Sequence, residues 1–151
     1  MKIALLGNPN TGKSTVFNML TGLRQHVGNF PGVTVDKKVG KIIVGETAHE
    51  LIDFPGTYSI YPRSKDEEVV YKSISNKEGV NYPDAVIVVL DTSNLERNLL
   101  LFSQIYDLQF PTLMVLNMTD LAKRKNIEYD VDALQTLFPE AKIVESNARV
   151  K

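Results

Sequence analysis

Short apolar runs alternate along the chain with longer amphipathic segments, and this alternation predicts the secondary structure. Three runs, at 3–6, 85–90 and 113–116, are apolar throughout, which is typical of strands buried on both faces of a parallel sheet. Apolar residues at helical spacing fill segments between them. The further elements that we predict are helices over 14–20, 64–74, 95–108 and 131–138, a strand pair over 35–44 and 50–52, and a last strand over 141–144.

Composition and charge narrow the class of protein. A length of 151 residues with 43% hydrophobic content is ordinary for one globular domain, so we predict a single domain over 1–151. Seventeen basic and eighteen acidic residues leave a net charge of −1, which gives no reason to expect a nucleic-acid partner. The chain has no cysteine, so disulfides and thiolate metal sites are excluded. The longest apolar run, 85–90, is much shorter than the ~18 residues of a membrane span.

The segment 7–14 reads GNPNTGKS and matches the phosphate-loop pattern between a predicted strand and a predicted helix. Backbone N–H groups of such a loop face the phosphates. Lys13 would reach the β- and γ-phosphates, and the Ser14 hydroxyl would bind Mg²⁺. The alternative is a chance glycine-rich turn before a helix. The residues predicted to contact the nucleotide here are Gly7, Asn8, Pro9, Asn10, Thr11, Gly12, Lys13, Ser14 and Thr15.

Two further segments fit the γ-phosphate end of a nucleotide site. Asp53 opens the tetrapeptide Asp-Phe-Pro-Gly after a predicted strand, where it would hold Mg²⁺ through water, and the N–H of Gly56 would sense the γ-phosphate. The Gly/Pro-punctuated segment 28–35 is predicted to be mobile, and its Thr34 would close onto Mg²⁺. The alternatives are a plain turn at 53–56 and an ordinary loop at 28–35.

The segment Asn117-Met118-Thr119-Asp120 follows the predicted strand over 113–116 and indicates guanine. A carboxylate at Asp120 would accept hydrogen bonds from the N1–H and 2-amino groups of guanine, whereas adenine would leave it unpaired. Asn117 would support the loop and the purine edge. The alternative is that the segment only caps a following helix. After the last strand, the loop Ser146, Asn147 and Ala148 would offer the Ala148 N–H to guanine O6.

Taken together, these segments predict an α/β P-loop NTPase (Ras-like) three-layer fold. We expect a mostly parallel six-stranded sheet with one antiparallel edge strand and right-handed crossovers. The ligand is GTP or GDP with Mg²⁺. Thr57 stands where Ras-type GTPases have a water-orienting glutamine, so slow intrinsic hydrolysis is expected. We expect Arg24, Arg63 and Arg97 to be solvated.

Five segments resemble the amino-terminal G domains of FeoB, the family of bacterial ferrous-iron transport proteins. The shared segments are GNPNTGKST (7–15), VGNFPGVTV (27–35), DFPGTYS (53–59), DTSNLERNL (91–99) and NMTD (117–120). The segment 91–99 is the most specific to the family, because general GTPase chemistry does not require it. Physical reasoning about the sequence gives no role for its Asn94, Glu96 and Arg97.

The resemblance implies several properties. Many family members use K⁺ as an activator, and Asn10 stands at the ligating position, with backbone carbonyls near Gly28 and Phe30 helping. K⁺ would partly replace an arginine finger, so the catalytic set is Lys13, Thr34, Gly56 and Asn10. Met118 replaces the lysine of the broader guanine motif, which predicts weak GDP affinity and fast release.

The resemblance also implies a place in a larger protein. The domain would sit at the cytoplasmic face of the bacterial inner membrane, followed by helical and transmembrane domains, with a possible homo-oligomer. The closing helix expected after the loop 146–148 is missing from the sequence, which favours a fragment. The leading hypothesis is a K⁺-stimulated GTPase that regulates or drives Fe²⁺ uptake. The alternatives are a nucleotide-sensing switch without an energetic role and a soluble GTPase of the ribosome or tRNA modification.

Overall fold

A seven-stranded sheet organises the part of the chain that the computed structural model describes, residues 1–22 and 25–146. Its strands are β1 (Lys2–Gly7), β2 (Gln25–Asn29), β3 (Asp36–Val44), β4 (Thr47–Asp53), β5 (Ala85–Asp91), β6 (Thr112–Asn117) and β7 (Lys142–Glu145). The helices are α1 (Lys13–Thr21), α2 (Lys65–Ser75), α3 (Leu95–Asp107), α4 (Thr119–Arg124) and α5 (Val131–Leu137), and one 3-10 turn spans Thr92–Asn94.

The strand order is β2-β3-β4-β1-β5-β6-β7. The pairs β4–β1, β1–β5, β5–β6 and β6–β7 are parallel, so the predicted mostly parallel sheet is confirmed. The prediction of six strands with an antiparallel edge strand is wrong. The antiparallel strand is β3, and it lies between β4 and a seventh strand, β2, which forms the edge.

The sequence of the extra strand β2 lacks the pattern that would predict a strand. All five of its residues are exposed, so it has no apolar alternation, and Gly28 is unfavourable in a strand interior. Backbone pairing with β3, from Gln25 opposite Gly40 to Asn29 opposite Asp36, is what forms it. The first residues of the segment predicted to be a mobile loop are therefore part of the sheet.

The continuous apolar runs reflect a sheet covered on both faces. Alternate residues of β1 enter different cores, with Ala4 and Leu6 on one face and Ile3 and Leu5 on the other. Helix α1 packs against the second face, whereas α2, α3 and α5 contribute buried residues to the first. The predicted three-layer arrangement is confirmed.

Helix ends follow recognisable capping signals. Ser64 caps α2, because its Oγ accepts the Glu67 N–H at 3.2 Å, and Gly22 ends α1 with a φ of +58°. The predicted helices are confirmed within a few residues. Helix α4 was foreseen only as the capping alternative for 117–120, because Ala122 is its one buried residue and no apolar period marks it.

No helix in the described part of the chain combines the length and the apolarity that a membrane crossing requires. The expectations for Asn147 and Ala148, and for a closing helix after them, lie outside the described residues.

Candidate nucleotide-binding site

The phosphate loop is the turn between β1, near the middle of the sheet, and the start of α1. Two of its residues have left-handed backbone conformations, Asn10 with φ +66° and Gly12 with φ +85°. A Cβ atom on Gly12 would collide with Nδ2 of Asn117, and one on Gly7 would lie 2.8 Å from the carbonyl oxygen of Val89. The loop therefore needs glycine at both positions for close packing, and at Gly12 also for the left-handed conformation.

Two side chains of this loop point into the protein. The hydroxyl of Thr11 donates to the carbonyl of Asn8 at 3.1 Å, and both residues are buried. Both polar atoms of the Asn8 side chain are shielded from water and have no hydrogen-bond partner among the described residues. Asn10, Ser14 and Thr15 of the same region are exposed.

Lys13 and Asp53 form an ion pair between the start of α1 and the end of β4. Both side chains are about nine-tenths buried. They share a cavity of about 400 Å³ with Thr34 and with Asp66, the second residue of α2. The structure thus brings together three residues predicted for the Mg²⁺ and γ-phosphate end of the site, and it adds Asp66, which the sequence pattern does not mark.

Gly56 and Thr57 sit directly against the phosphate loop. The Thr57 N–H donates to the carbonyl of Gly7 at 3.0 Å, and a Cβ atom on Gly56 would lie 3.0 Å from the backbone nitrogen of Pro9. The Thr57 side chain is fully buried, with its hydroxyl 2.7 Å from Glu67 Oε2. Since this hydroxyl faces the interior, it does not take the place of a water-orienting glutamine.

The loop 57–63 is held by side chains from two helices. Glu67 of α2 accepts the Thr57 hydroxyl and the Arg63 N–H, the latter at 2.9 Å, and the hydrogen bond from Thr57 above all lowers the pKa of its carboxyl. On α3, Gln104 accepts hydrogen bonds from Ser59 and Ile60. Neither Glu67 nor Gln104 was predicted as a site residue, because both lie in ordinary amphipathic helical patterns.

Arg97 differs from the sequence-based expectation. The residue is exposed, but its guanidinium lies 4.1 Å from the centre of the Tyr58 ring, so it is not simply solvated. Contact of this kind is a cation–π interaction. No pattern along the chain marks the pair, since Arg97 and Tyr58 are far apart in sequence and meet only through the packing of α3 beside the loop 57–63.

The predicted guanine loop begins at the end of β6 with Asn117, which is fully buried. Its Nδ2 donates to the carbonyl of Thr11 at 2.9 Å, so it ties this loop to the phosphate loop. Its own carbonyl accepts the hydroxyl of buried Thr92 at 2.8 Å. Met118 follows with a left-handed φ of +59°. The end of the neighbouring strand β7 is joined to β6, since the Ser146 N–H donates to the carbonyl of Leu116 at 2.7 Å.

Asp120 presents one paired and one unpaired carboxylate oxygen. Its Oδ2 accepts from Arg124 at 3.0 Å, an i, i+4 ion pair on α4. Its Oδ1 is shielded from water and has no hydrogen-bond partner in the described part of the chain. A shielded acceptor without a donor is costly unless a ligand supplies an N–H, which is the chemistry predicted for this carboxylate.

Hydrogen bonds of Asp91 and Asn98 order the segment 91–99. The Asp91 carboxylate accepts the Ser93 N–H at 2.9 Å and so caps the 3-10 turn. Asn98 is buried, and its amide accepts the Asp91 N–H at 3.2 Å and donates to the carbonyl of Asn94 at 2.7 Å. This segment therefore fixes the entry into α3, with Thr92 contacting the guanine loop and Arg97 contacting the loop 57–63.

The switch segment 28–35 is partly ordered by pairing and packing. Gly28 lies in β2 opposite Lys37. Phe30 is buried and stacks on Phe54, with ring centres 5.2 Å apart. The carbonyl of Phe30 accepts the N–H of Val33 at 3.3 Å. Thr34 and Val35 of this segment line the cavity around Lys13, and the K⁺ site predicted between the segment and Asn10 remains a prediction.

All these loops lie at the same side of the sheet, where its parallel strands end. The phosphate loop follows β1, the Asp53–Gly56 turn follows β4, the 3-10 turn follows β5 and the Asn117 loop follows β6, and these strands are mutually parallel. The carboxyl ends of parallel strands are where open α/β sheets bind ligands. A phosphate loop, an aspartate–glycine turn and an Asn-x-x-Asp loop in this arrangement define a G domain of the phosphate-loop class.

Comparison with known proteins identifies the family. The chain matches the family model described as ferrous iron transport protein B over residues 1–151, and it belongs to that family, FeoB. It is 44% identical over 140 residues to the Fe(2+) transporter FeoB of Salmonella typhimurium, an alignment that covers 90% of this chain and 18% of the relative. The chain thus spans about a fifth of that relative's length.

Solved structures agree with this assignment. The cytosolic domain of L. pneumophila FeoB superposes with a TM-score of 0.90 at 40% identity, covering 98% of this chain and 57% of that one. A point variant of S. thermophilus NFeoB bound to GDP superposes with a TM-score of 0.87 at 36% identity, covering 99% of this chain and 55% of that one. Both likenesses extend over nearly the whole chain.

Proposed function

We propose that this chain is a single G domain that binds and hydrolyses GTP as part of a FeoB-type Fe²⁺ transporter. One observation carries the proposal: the hydrogen bond between Asn117 and Thr11 joins the guanine loop to the phosphate loop on one edge of the sheet. A base and a phosphate chain bound there would occupy one continuous site. The GDP carried by the S. thermophilus relative supports a guanine nucleotide as the ligand.

Guanine selection rests on Asp120. Its unpaired Oδ1 would accept a guanine N–H, while adenine, with an acceptor at N1, would leave this shielded oxygen without a donor. Sites built on buried polar groups discriminate by several kcal/mol for this reason. Met118 packs its side chain toward Gly12 and offers no charged group to the base, in keeping with weak GDP affinity and fast release.

The residues around Lys13 fit Mg²⁺. Oxygen ligands are what Mg²⁺ prefers, and Ser14, Thr34 and Asp53 supply two hydroxyls and a carboxylate near the lysine expected at the β- and γ-phosphates. Bound there, Mg²⁺ would neutralise the charge of the phosphate chain. Lys13 would exchange its contact with Asp53 for a phosphate oxygen, which frees the Asp53 carboxylate to hold a metal-bound water.

Hydrolysis would depend on backbone groups and on K⁺. Gly56 lies against Pro9 of the phosphate loop, where its N–H would meet the γ-phosphate, and the buried Thr57 hydroxyl gives no help to the attacking water. We therefore expect slow intrinsic turnover. The exposed amide of Asn10 offers an oxygen ligand to K⁺, which would add positive charge where negative charge develops in the transition state.

Membership of the FeoB family supports a role of this domain in transport. We propose that it lies at the cytoplasmic face of the bacterial inner membrane, joined to helical and transmembrane domains, and that its GTP cycle regulates or drives Fe²⁺ uptake. A homo-oligomer is compatible with this arrangement. A nucleotide-sensing switch without an energetic role is the second candidate, and the inward-facing Thr57 hydroxyl favours it because slow hydrolysis then only resets the switch.

Nucleotide titration by calorimetry tests the binding proposal. We expect GDP and GTP to bind at least 100-fold more tightly than ADP and ATP, a ratio that corresponds to about 2.7 kcal/mol. Asp120→Asn should transfer the preference from guanine to xanthine nucleotides, because the amide now donates where the carboxylate accepted. Equal affinity for ATP and GTP in the unaltered chain would contradict the proposal.

Turnover and transport separate the two candidate functions. Replacing K⁺ by Na⁺ at constant ionic strength should lower the rate of phosphate release several-fold, and Asn10→Ala should abolish that difference. In the complete transporter, a variant that binds GTP without cleaving it should stop Fe²⁺ uptake if hydrolysis powers transport. Sustained uptake by that variant would favour the sensing switch.

A further inference from the structure

Helix α3 lies beside the loop 57–63 and contacts it at two points. Gln104 is half-buried, and one atom of its amide lies 3.1 Å from the Ser59 hydroxyl and 2.9 Å from the Ile60 nitrogen. Because a backbone N–H only donates, the atom that meets Ile60 is the acceptor, Oε1. Gln104 therefore acts toward this loop purely as a hydrogen-bond acceptor.

Arg97 makes the second contact from the same side of the helix. It precedes Gln104 by seven residues, or two helical turns, which places the two side chains on one face of α3. Its guanidinium lies over the ring of Tyr58, two residues before Ile60. Helix α3 thus contacts three consecutive residues of the loop, from Tyr58 to Ile60.

The loop also borders a cavity of about 980 Å³. Residues of the phosphate loop, of the loop 57–63 and of α3 line this cavity, among them Pro9, Tyr58 and Arg97. Gly56, whose N–H is expected to sense the γ-phosphate, comes directly before this loop. The loop is held by its contacts with α2 and α3 and, at its first residue, by the hydrogen bond from the Thr57 N–H to the Gly7 carbonyl.

We propose that Gln104 and Arg97 are positioning residues for the γ-phosphate-sensing turn, and that α3 fixes Gly56 by holding Ser59, Ile60 and Tyr58. The catalytic part of this inference rests on the proposed GTPase function, whereas the structural part does not. Arg97 of the segment 91–99 then has a role as well, although it takes no part in the guanine or phosphate sites.

Hydrogen exchange of the 151-residue chain without nucleotide tests the structural part. Gln104→Leu should speed exchange of the Ile60 amide roughly tenfold, and Arg97→Ala should speed exchange over 58–60 by about two- to fivefold. Gln104→Glu keeps an acceptor and Arg97→Lys keeps a cation, so both should stay near the unaltered rate. Ser103→Ala is the matched control, because its hydroxyl donates to the Leu100 carbonyl of its own helix.

Steady-state GTP turnover of the same variants tests the catalytic part. Gln104→Leu and Arg97→Ala should lower kcat several-fold while KM and GDP affinity stay within about twofold, because both nucleotide-binding loops are untouched. Gln104→Glu should restore kcat.

Two results would overturn the proposal: an unchanged Ile60 exchange rate in Gln104→Leu, or a Gln104→Glu variant as impaired as Gln104→Leu. Faster exchange with an unchanged kcat would overturn the catalytic part. Absence of turnover in the unaltered chain would instead count against the proposed GTPase function, and the exchange measurement would still decide the role of α3.

Discussion

The loop after β6 and the loop after β4 leave the same edge of the sheet but are held by different kinds of contact. Asn117 is fully buried and is bonded on both sides, to Thr11 and to Thr92. The loop 57–63 has one buried anchor, Thr57, which is bonded to Gly7, but it is otherwise mostly exposed. Its exposed part is held by Glu67, Gln104 and Arg97, which reach it from helices. Buried hydrogen bonds are costly to break, whereas contacts at the surface exchange readily with water.

This difference matches the tasks that we propose for the two loops. A loop that recognises guanine keeps one shape in every nucleotide state, so a buried anchor suits it. A loop that responds to the γ-phosphate has to move when the phosphate leaves, and low local stability is typical of moving elements. Four predictions test the comparison, beginning with the variant expected to have the largest effect.

Asn117→Ala should be the most damaging change. It removes a buried amide, leaves the Thr11 carbonyl without its donor and opens a cavity, which should lower the free energy of unfolding by about 2–4 kcal/mol. GDP affinity should fall by about 100-fold, because the phosphate loop and the guanine loop lose their connection. Urea unfolding and calorimetry measure both quantities. Asn94→Ala, an amide truncation at an exposed position, is the control and should unfold like the unaltered chain.

Thr92→Val should rank second. The substitution keeps the shape of a fully buried side chain but removes the hydroxyl that meets the Asn117 carbonyl at 2.8 Å. We expect the free energy of unfolding to fall by about 1–2 kcal/mol, with a several-fold loss of GDP affinity. Thr92→Ser retains the hydroxyl and should keep most of that affinity. A valine variant with full GDP affinity would show that this hydrogen bond does not support the guanine loop.

Glu67→Gln should have a smaller effect that depends on pH. The pKa of Glu67 is lowered from 4.5, so the carboxylate stabilises the folded chain fully above about pH 4.5, and this contribution is lost as pH falls through the lowered pKa. Because the group is partly exposed, we expect a difference of less than about 1 kcal/mol between the two chains near pH 7. Unfolding measured from pH 7 to pH 3 should show that difference shrinking below pH 4.5, and a constant gap would contradict the assignment.

Arg124→Ala should have the smallest effect. Its ion pair with Asp120 is an exposed i, i+4 pair, worth less than about 0.5 kcal/mol. GDP affinity should change by no more than about twofold, measured by calorimetry beside Asp120→Asn, which should lose guanine preference altogether. A tenfold loss of GDP affinity in Arg124→Ala would show that the guanine carboxylate depends on a surface contact, and the comparison between the two loops would then fail.

Local signals in the sequence were sufficient for most of the architecture. Continuous apolar runs marked β1, β5 and β6 because both faces of a parallel sheet are covered. Ser64 and Gly22 marked helix ends through local capping. The strand β2 was missed because its exposed residues carry no apolar period and only its pairing with β3 makes it a strand.

The sequence by itself determined the phosphate loop, the aspartate–glycine turn and the guanine loop, because the chemistry of each is encoded by residues adjacent in the chain. Only the tertiary structure decided what holds those segments in place. Thr92 and Thr11 meet Asn117, and Arg97 and Gln104 meet the loop 57–63, because parallel strands end at one edge and α3 packs beside it. Contacts between residues far apart in sequence leave no local pattern, since each partner alone is compatible with an ordinary helix, strand or loop.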